Sequence, residues 1–152
     1  MPPLPVADEA TRTALLAWLD RFAGFVRAVD YASAKPFFHP DTLAFGTHRD
    51  VLPGLDAWVR LQWDNVWPRT TDFGFTVEQT HILAAADGSM AVAVAPWTST
   101  GYQPDGTKFD RPGRATMIFS RTDAGWLCVH SHMSLNRGVP QDSHAKRPVK
   151  AW

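Results

Sequence analysis

Between Asp72 and Asn136 the chain carries three turn signals, Asp87-Gly88, Pro104-Asp105-Gly106 and Thr122-Asp123-Ala124-Gly125. Asp-Gly and Pro-Asp-Gly tolerate the backbone angles that tight hairpins require, so they divide this region into consecutive antiparallel strands. The strands expected are Asp72 to Ala85, Ser89 to Tyr102, Thr107 to Arg121 and Trp126 to Asn136. Ahead of this meander the period changes. Leu15, Leu19, Phe22, Val26 and Val29 recur at helical steps between Asp8 and Asp30, which predicts an amphipathic helix with Asp8 as its N-cap. Lys35 to His39, bracketed by Pro36 and Pro40, has room for at most a turn or two of helix. Asp41 to Thr47 reads as a first strand and Pro53-Gly54 as a turn. Asp56 to Trp67 reads as a second helix, carrying Trp58, Val59, Trp63, Val66 and Trp67 and stopping at Pro68. Helices followed by a meander make an α+β domain over residues 1–136, with Arg137 to Trp152 as an extended tail.

Composition narrows the partners. With 45% apolar and 20% charged residues, 152 residues suffice for one buried core. Fifteen basic residues against 15 acidic leave no net charge, so neither nucleic acid nor an anionic membrane is an expected partner. No apolar run approaches the roughly 20 residues that span a bilayer. Met1-Pro2-Pro3-Leu4-Pro5 lacks the basic and apolar regions of a secretory signal, and Cys128, the one cysteine, has no disulfide partner within the chain. A cytoplasmic location is the expectation. A phosphate loop, a Gly-x-Gly-x-x-Gly, a His-Glu-x-x-His and a Gly-x-Ser-x-Gly elbow are all missing from the sequence, so no cofactor is expected.

Three segments carry a family resemblance: Gly113-Arg114-Ala115-Thr116 opening a strand, Asp123-Ala124-Gly125-Trp126, and Val129-His130-Ser131-His132-Met133-Ser134. Together with the element order from Asp8 to Asn136, they resemble the SnoaL-like and ketosteroid-isomerase-like branch of the nuclear transport factor 2 superfamily. The closing strand is also similar to the calcium/calmodulin-dependent kinase II association domain. The resemblance implies a cone, in which a curved antiparallel sheet wraps around the N-terminal helices, with a cavity at the open end and usually a homodimer. It implies little about activity, because the superfamily includes isomerases, cyclases, dehydratases, transport adaptors and assembly modules. An ungapped match puts Gly46 or Thr47 where ketosteroid isomerases have their aspartate base, and Phe22 where they have the oxyanion-holding tyrosine. Their chemistry is not carried over unless His48 or Asp50 serves from a shifted register.

The turns also set a register, with Ala86 opposite Ser89, Gln103 opposite Thr107 and Arg121 opposite Trp126. Propagated by twos, it puts Glu78, Ala91, Ala93, Ala95, Trp97, Ala115, Met117, Cys128, His130 and His132 on one face. Val92, Val94, Thr116, Ile118, Leu127, Val129 and Met133 fall on the other. Alanines let a helix approach closely, so their face is assigned to the interior of the cone; the Val/Ile/Leu face suits a homodimer. Arg114 falls on this outer face, for surface or dimer pairing. A bulge is expected at Asp110-Arg111-Pro112-Gly113 and would invert the assignments upstream of it.

In this register Glu78 pairs with Trp97 beside His132. A carboxylate next to an imidazole is suited to general acid and base work, and equally to satisfying itself as a buried structural pair. Cys128, His130 and His132 form a row on one face, but two imidazoles without a further ligand cluster make no metal site. His130 suits a core position bonded to backbone, at the edge of the ligand space. Trp63, Trp67, Phe45, Tyr31 and Met117 supply the remaining apolar wall together with Trp97. The reading is a cavity for a small apolar or aromatic molecule, with an isomerase, cyclase or dehydratase activity through Glu78 and His132 if it is an enzyme. The alternative is a non-catalytic module whose assembly is its function.

Overall fold

Helix α1, Glu9–Ala28, starts where the apolar period starts, and the Asp8 carboxylate accepts the Thr11 N–H at 2.7 Å as its N-cap. Its stripe of Leu15, Leu19, Phe22 and Val26 is buried. The computed structural model describes residues 1–48 and 50–150. A short α2, Tyr31–Ala34, and a 3₁₀ turn over Lys35–Phe37 lead into strands β1, Phe38–Phe45, and β2, Val51–Pro53. The tryptophan-rich helix is not uniform. It consists of α3, Leu55–Trp58, a π-helical turn over Val59–Trp63, α4, Asp64–Val66, and a closing 3₁₀ turn at Trp67–Arg69. Such π turns shift side chains off the regular helical stripe and are frequent at functional sites.

Six more strands complete the sheet: β3, Thr71–Phe75; β4, His81–Ala84; β5, Met90–Tyr102; β6, Lys108–Asp110; β7, Gly113–Thr122; and β8, Gly125–Leu135. The order runs β2, β1, β8, β7, β5, β3, with β4 and β6 also on β5. This is the expected α+β architecture, a curved, open sheet carrying helices on one face. It is not wholly antiparallel, because β1 joins β8 in parallel while its other strand pairs are antiparallel. None of the described helices is long and apolar enough to cross a membrane.

The β5–β7 ladder follows the turn-derived register without a break, from Met90 opposite Ser120 to Trp97 opposite Gly113. Along β5 the buried residues are Ala91, Ala93, Ala95, Trp97, Ser99 and Gly101, and along β7 they are Gly113, Ala115, Met117 and Phe119. The same register continues into β6, where Thr100 faces Asp110, so the bulge expected at Asp110 to Gly113 is absent.

Two irregularities lie elsewhere. The strand expected over Asp72 to Ala85 is interrupted by a 3₁₀ turn at Val77–Gln79, leaving Phe75 opposite Trp97 and Ile82 opposite Ala93. In β8 a bulge falls after Cys128: Phe119 pairs with Cys128, but Ile118 pairs with His130 and Thr116 with His132. Since one extra residue flips every later side chain, Cys128 and Ser131 are buried, while His130 and His132 turn to the outer face.

Residues 137–150 are tied down rather than loose. Ser143 Oγ donates to the Arg69 carbonyl and accepts the Tyr102 N–H at 2.9 Å. The Arg147 guanidinium donates to the carbonyls of Arg27 at 2.6 Å and Trp67 at 2.9 Å. Lys150 Nζ reaches the Asp30 carboxylate at 2.7 Å.

Two outcomes follow. At Gly113 an added Cβ would lie 2.1 Å from the Trp97 ring and 2.4 Å from the Ser134 carbonyl oxygen, and the second neighbour is backbone. Gly113→Ala is therefore expected to cost about 1–3 kcal/mol, as overpacking does, read as a lower urea midpoint at unchanged slope. The Asp30 carboxyl is held below its ordinary range, first by Lys150 and then by the Ser33 N–H. A carboxylate whose folded pKa is depressed stabilises the protein above its unfolded pKa, and that contribution disappears as pH falls through the folded value. Asp30→Asn should cost about 1.5–3 kcal/mol at neutral pH, the range for hydrogen bonds to charged groups. In urea melts the gap to wild type should close below about pH 4; a gap of constant size down into acid would contradict the charge-dependent contribution.

Candidate functional site

The side chains that α1, the tryptophan-rich segment and the concave sheet face send inward leave one narrow cavity, with about 40 Å³ open to water-sized molecules. Its walls are aromatic. Trp63 and Trp67 stack with ring centres 4.2 Å apart and planes within 18° of parallel. Phe22 meets Trp67 edge-on at 5.8 Å, and across the cavity Trp97 lies 5.5 Å from Phe73. Gly113 leaves the Trp97 indole free to lie flat over the start of β7.

The polar side chains of the lining are Gln62, Thr47, Arg111 and Thr70, the last donating to the Val66 carbonyl at 3.1 Å. Gln62, on the π-helical turn, packs over Gly46, where an added Cβ would sit 2.2 Å from its amide carbon. Its Nε2 donates to Thr47 Oγ1 at 3.1 Å, and its Oε1 accepts the His48 N–H at 3.0 Å. Thr47 Oγ1 also accepts from Arg111 Nη2 at 3.3 Å, and the Thr47 carbonyl takes a hydrogen bond from Gln141 in the tail. Arg111 stands between β6 and β7, fixed by reciprocal backbone hydrogen bonds with Ser99 of 2.9 and 3.1 Å. Its side chain is only 3% exposed, with the guanidinium 5.8 Å from the Trp97 ring centre. Burial lowers its pKa to about 10, against a smaller opposing effect of the Asp142 charge, so it stays a cation at neutral pH.

Of the residues expected at the site, Trp97, Trp63 and Trp67 line the cavity. Tyr31 is buried just behind them, its ring 5.2 Å from Trp67, and its hydroxyl is pushed up in pKa by burial and by Asp64. Met117 is fully buried on the concave face, deeper in the core than the lining. The expected meeting of Glu78 and His132 does not occur. Glu78 lies exposed on the 3₁₀ turn that interrupts the strand, and His132 is carried outward by the β8 bulge. His130 is turned outward by the same bulge, and Phe45 by the alternation of β1, in which Thr42 and Ala44 take the buried positions. On the outer face the Phe45 ring packs 5.6 Å from His130 and 5.1 Å from His132, while His130 Nδ1 lies 2.9 Å from the Leu43 carbonyl oxygen. The bulge also splits the Cys128, His130 and His132 row, leaving Cys128 buried, its thiol pushed up in pKa by burial. Arg114 is on the outer face as expected, bonded to Ser134 Oγ at 3.1 Å.

Sequence reasoning overlooked Arg111, Gln62, Thr47 and Met133. Met133 enters the lining through the same bulge that removes His132. Arg111 was readable: the hairpin register pairing Gln103 with Thr107 also pairs Ser99 with Arg111, on the face of Trp97. Gln62 gave no apolar signal, and its place depends on the π turn.

The profile of the SnoaL-like domain matches residues 15–137. Nothing matches among curated proteins. Solved structures similar to this chain share its fold at low identity. A nuclear transport factor 2-like superfamily protein from Salmonella enterica is 20% identical, with 88% of this chain and 97% of that one covered at a TM-score of 0.71. A Xanthomonas campestris structure described as a calcium/calmodulin dependent protein kinase II association domain is 19% identical, covering 91% and 95% at 0.69. One from Novosphingobium aromaticivorans, described as an aromatic ring hydroxylase, is 19% identical, covering 88% and 94% at 0.71. With the match spanning most of its length, this chain belongs to the SnoaL-like domain family, and its fold is that of the nuclear transport factor 2-like structure.

Proposed function

We propose that this chain is a small-molecule-binding SnoaL-like protein whose ligand enters the aromatic cavity on the concave face of the sheet. The observation that carries this reading is the lining itself, stacked Trp63 and Trp67 facing Trp97 and Phe73 across unfilled space. About 40 Å³ is well below the roughly 150 Å³ of a void that takes benzene, so the resting cavity suits a group of a few atoms. A cyclic or aromatic ligand enters when the unbranched Met133 side chain swings aside. The lining residues include no carboxylate or imidazole, so binding, rather than acid–base catalysis by Glu78 and His132, is the reading retained.

A second reading concerns assembly. The outer face exposes Leu43, Phe45 and Val94, and a cone so nearly filled also suits a module that works by associating, as the solved association domains do by their description. The two readings use opposite faces of one sheet and are compatible, with the partner a second copy of this chain. Light scattering should give about twice 16.9 kDa, and Val94→Glu should shift the mass toward the monomer; a wild-type monomer across micromolar concentrations would overturn the dimer. For the cavity, a compact aromatic such as indole at 100 times its dissociation constant should raise stability by about 2.7 kcal/mol in a thermal melt. Replacing Met133 by Trp to fill the void should abolish that gain; an undiminished gain would place the binding elsewhere.

A further inference from the structure

Resting on the reading that the cavity takes a small molecule, we propose that it is built to receive a carboxylate against Arg111, so that the ligand is a small organic acid in its anionic form. The first support is a buried cation with no counter-ion. Among the described residues the Arg111 guanidinium makes no ion pair, and its hydrogen bond goes to the neutral hydroxyl of Thr47. Asp142 acts on it only from beyond ion-pair distance. An uncompensated buried charge is strongly unfavourable, and only part of that cost is offset by the Trp97 ring face.

The second support is an imbalance of donors over acceptors. Arg111 Nε, Trp97 Nε1 and Trp58 Nε1 are all buried without a hydrogen-bond partner among the described residues, and all three belong to residues lining the cavity. Of the side-chain acceptors in the lining, Gln62 Oε1 is engaged by the His48 N–H and Thr47 Oγ1 by both Gln62 Nε2 and Arg111 Nη2, which leaves Thr70 Oγ1, itself a donor to the Val66 carbonyl, against three unpartnered donors. A ligand completing this lining must bring acceptors and negative charge.

Shape then selects the anion. A guanidinium is a planar fork of donors that matches the two oxygens of a carboxylate, and a planar group of three heavy atoms suits a cavity this narrow. The stacked tryptophans meet the apolar remainder of the molecule. A tetrahedral phosphate would require more room and further cations, and among the described residues Arg111 is the one cationic side chain in the lining.

The test compares pairs of equal shape. Benzoate and benzamide, acetate and acetamide, and inorganic phosphate are titrated against the wild-type chain by calorimetry and by quenching of tryptophan fluorescence, then against Arg111→Met and Arg111→Lys. Each carboxylate is expected to bind at least about tenfold more tightly than its amide, 1.4 kcal/mol. Arg111→Met should remove that preference and Arg111→Lys restore part of it. Amides binding as tightly as carboxylates, a preference surviving in Arg111→Met, or phosphate binding more tightly than either acid would overturn the carboxylate assignment while leaving the cavity reading standing. If no probe, indole included, quenches the cavity tryptophans, both fall. Should Arg111→Met fail to fold, the acid-to-amide comparison in the wild-type chain still decides.

Discussion

The unbroken ladder between β5 and β7 is the constraint from which the rest of the molecule follows. Eight consecutive pairs, from Met90 opposite Ser120 to Trp97 opposite Gly113, hold one parity along both strands. That parity puts the small residues Ala91, Ala93, Ala95 and Ala115 on the concave face, where α1 and its aromatic stripe settle close to the sheet. At its end the same parity delivers one large residue, Trp97, and opposite it a glycine that leaves space for the indole. Two residues before Gly113, in the link between β6 and β7, the inward position is occupied by Arg111, opposite Ser99. A slip of one residue in this ladder would send Trp97 and Arg111 into solvent together.

What could be read from the sequence divides along physical lines. Hairpin turns act locally, so Asp87-Gly88 and Pro104-Asp105-Gly106 fix register without knowledge of the rest of the chain, and the alternation through β5 and β7 follows from them. Helix α1 has the same character, since its period and its Asp8 cap are properties of adjacent residues. The β8 bulge after Cys128 is different. Nothing in Cys128-Val129-His130 distinguishes a bulged strand from a straight one, because the irregularity is resolved by pairing on both edges, with β7 on one side and parallel β1 on the other. The interruption at Val77–Gln79 is equally nonlocal: β5 is long enough to pair with β3 at one end and β4 at the other, and the connecting residues loop out. The site expected around Glu78 and His132 rested on these two stretches. The tryptophans rested on helical spacing and on β5, which is why they line the cavity.

The closure of the cone depends on contacts outside the sheet. Gln62 reaches the loop after β1 only because the π-helical turn redirects it, and Gly46 has no side chain to oppose it. Gln141 and Ser143 then pin residues 137–150 to Thr47 and to Arg69, at the rim formed by the end of the tryptophan-rich segment. Arg147 and Lys150 continue the strap to the C-terminal end of α1, where the carbonyls of a helix accept cations favourably. The tail thus contributes to the same wall as the helices it crosses, beyond residue 137 where the family match stops.

An arginine inside an aromatic cone is costly to maintain. Its desolvation is incompletely compensated by one hydroxyl and one ring face, and the neighbouring indole donors add to the excess of positive potential rather than relieve it. A cavity serving only as packing slack would be cheaper with a methionine or leucine at position 111, which would fill the space and strand no donor. Buried charge in a lining that is otherwise apolar is expected where it does work on a ligand, because the low-dielectric surroundings that make it expensive also strengthen its attraction for an anion. The convex face differs: Leu43, Phe45 and Val94 are exposed there beside His130, His132 and Arg114, and burying these apolar side chains against a like surface would be favourable where the polar neighbours keep partners or water. One sheet therefore presents two chemically distinct faces, an exterior with exposed apolar side chains suited to a second copy of the chain and an interior in which the Arg111 cation lacks a counter-ion among the described residues.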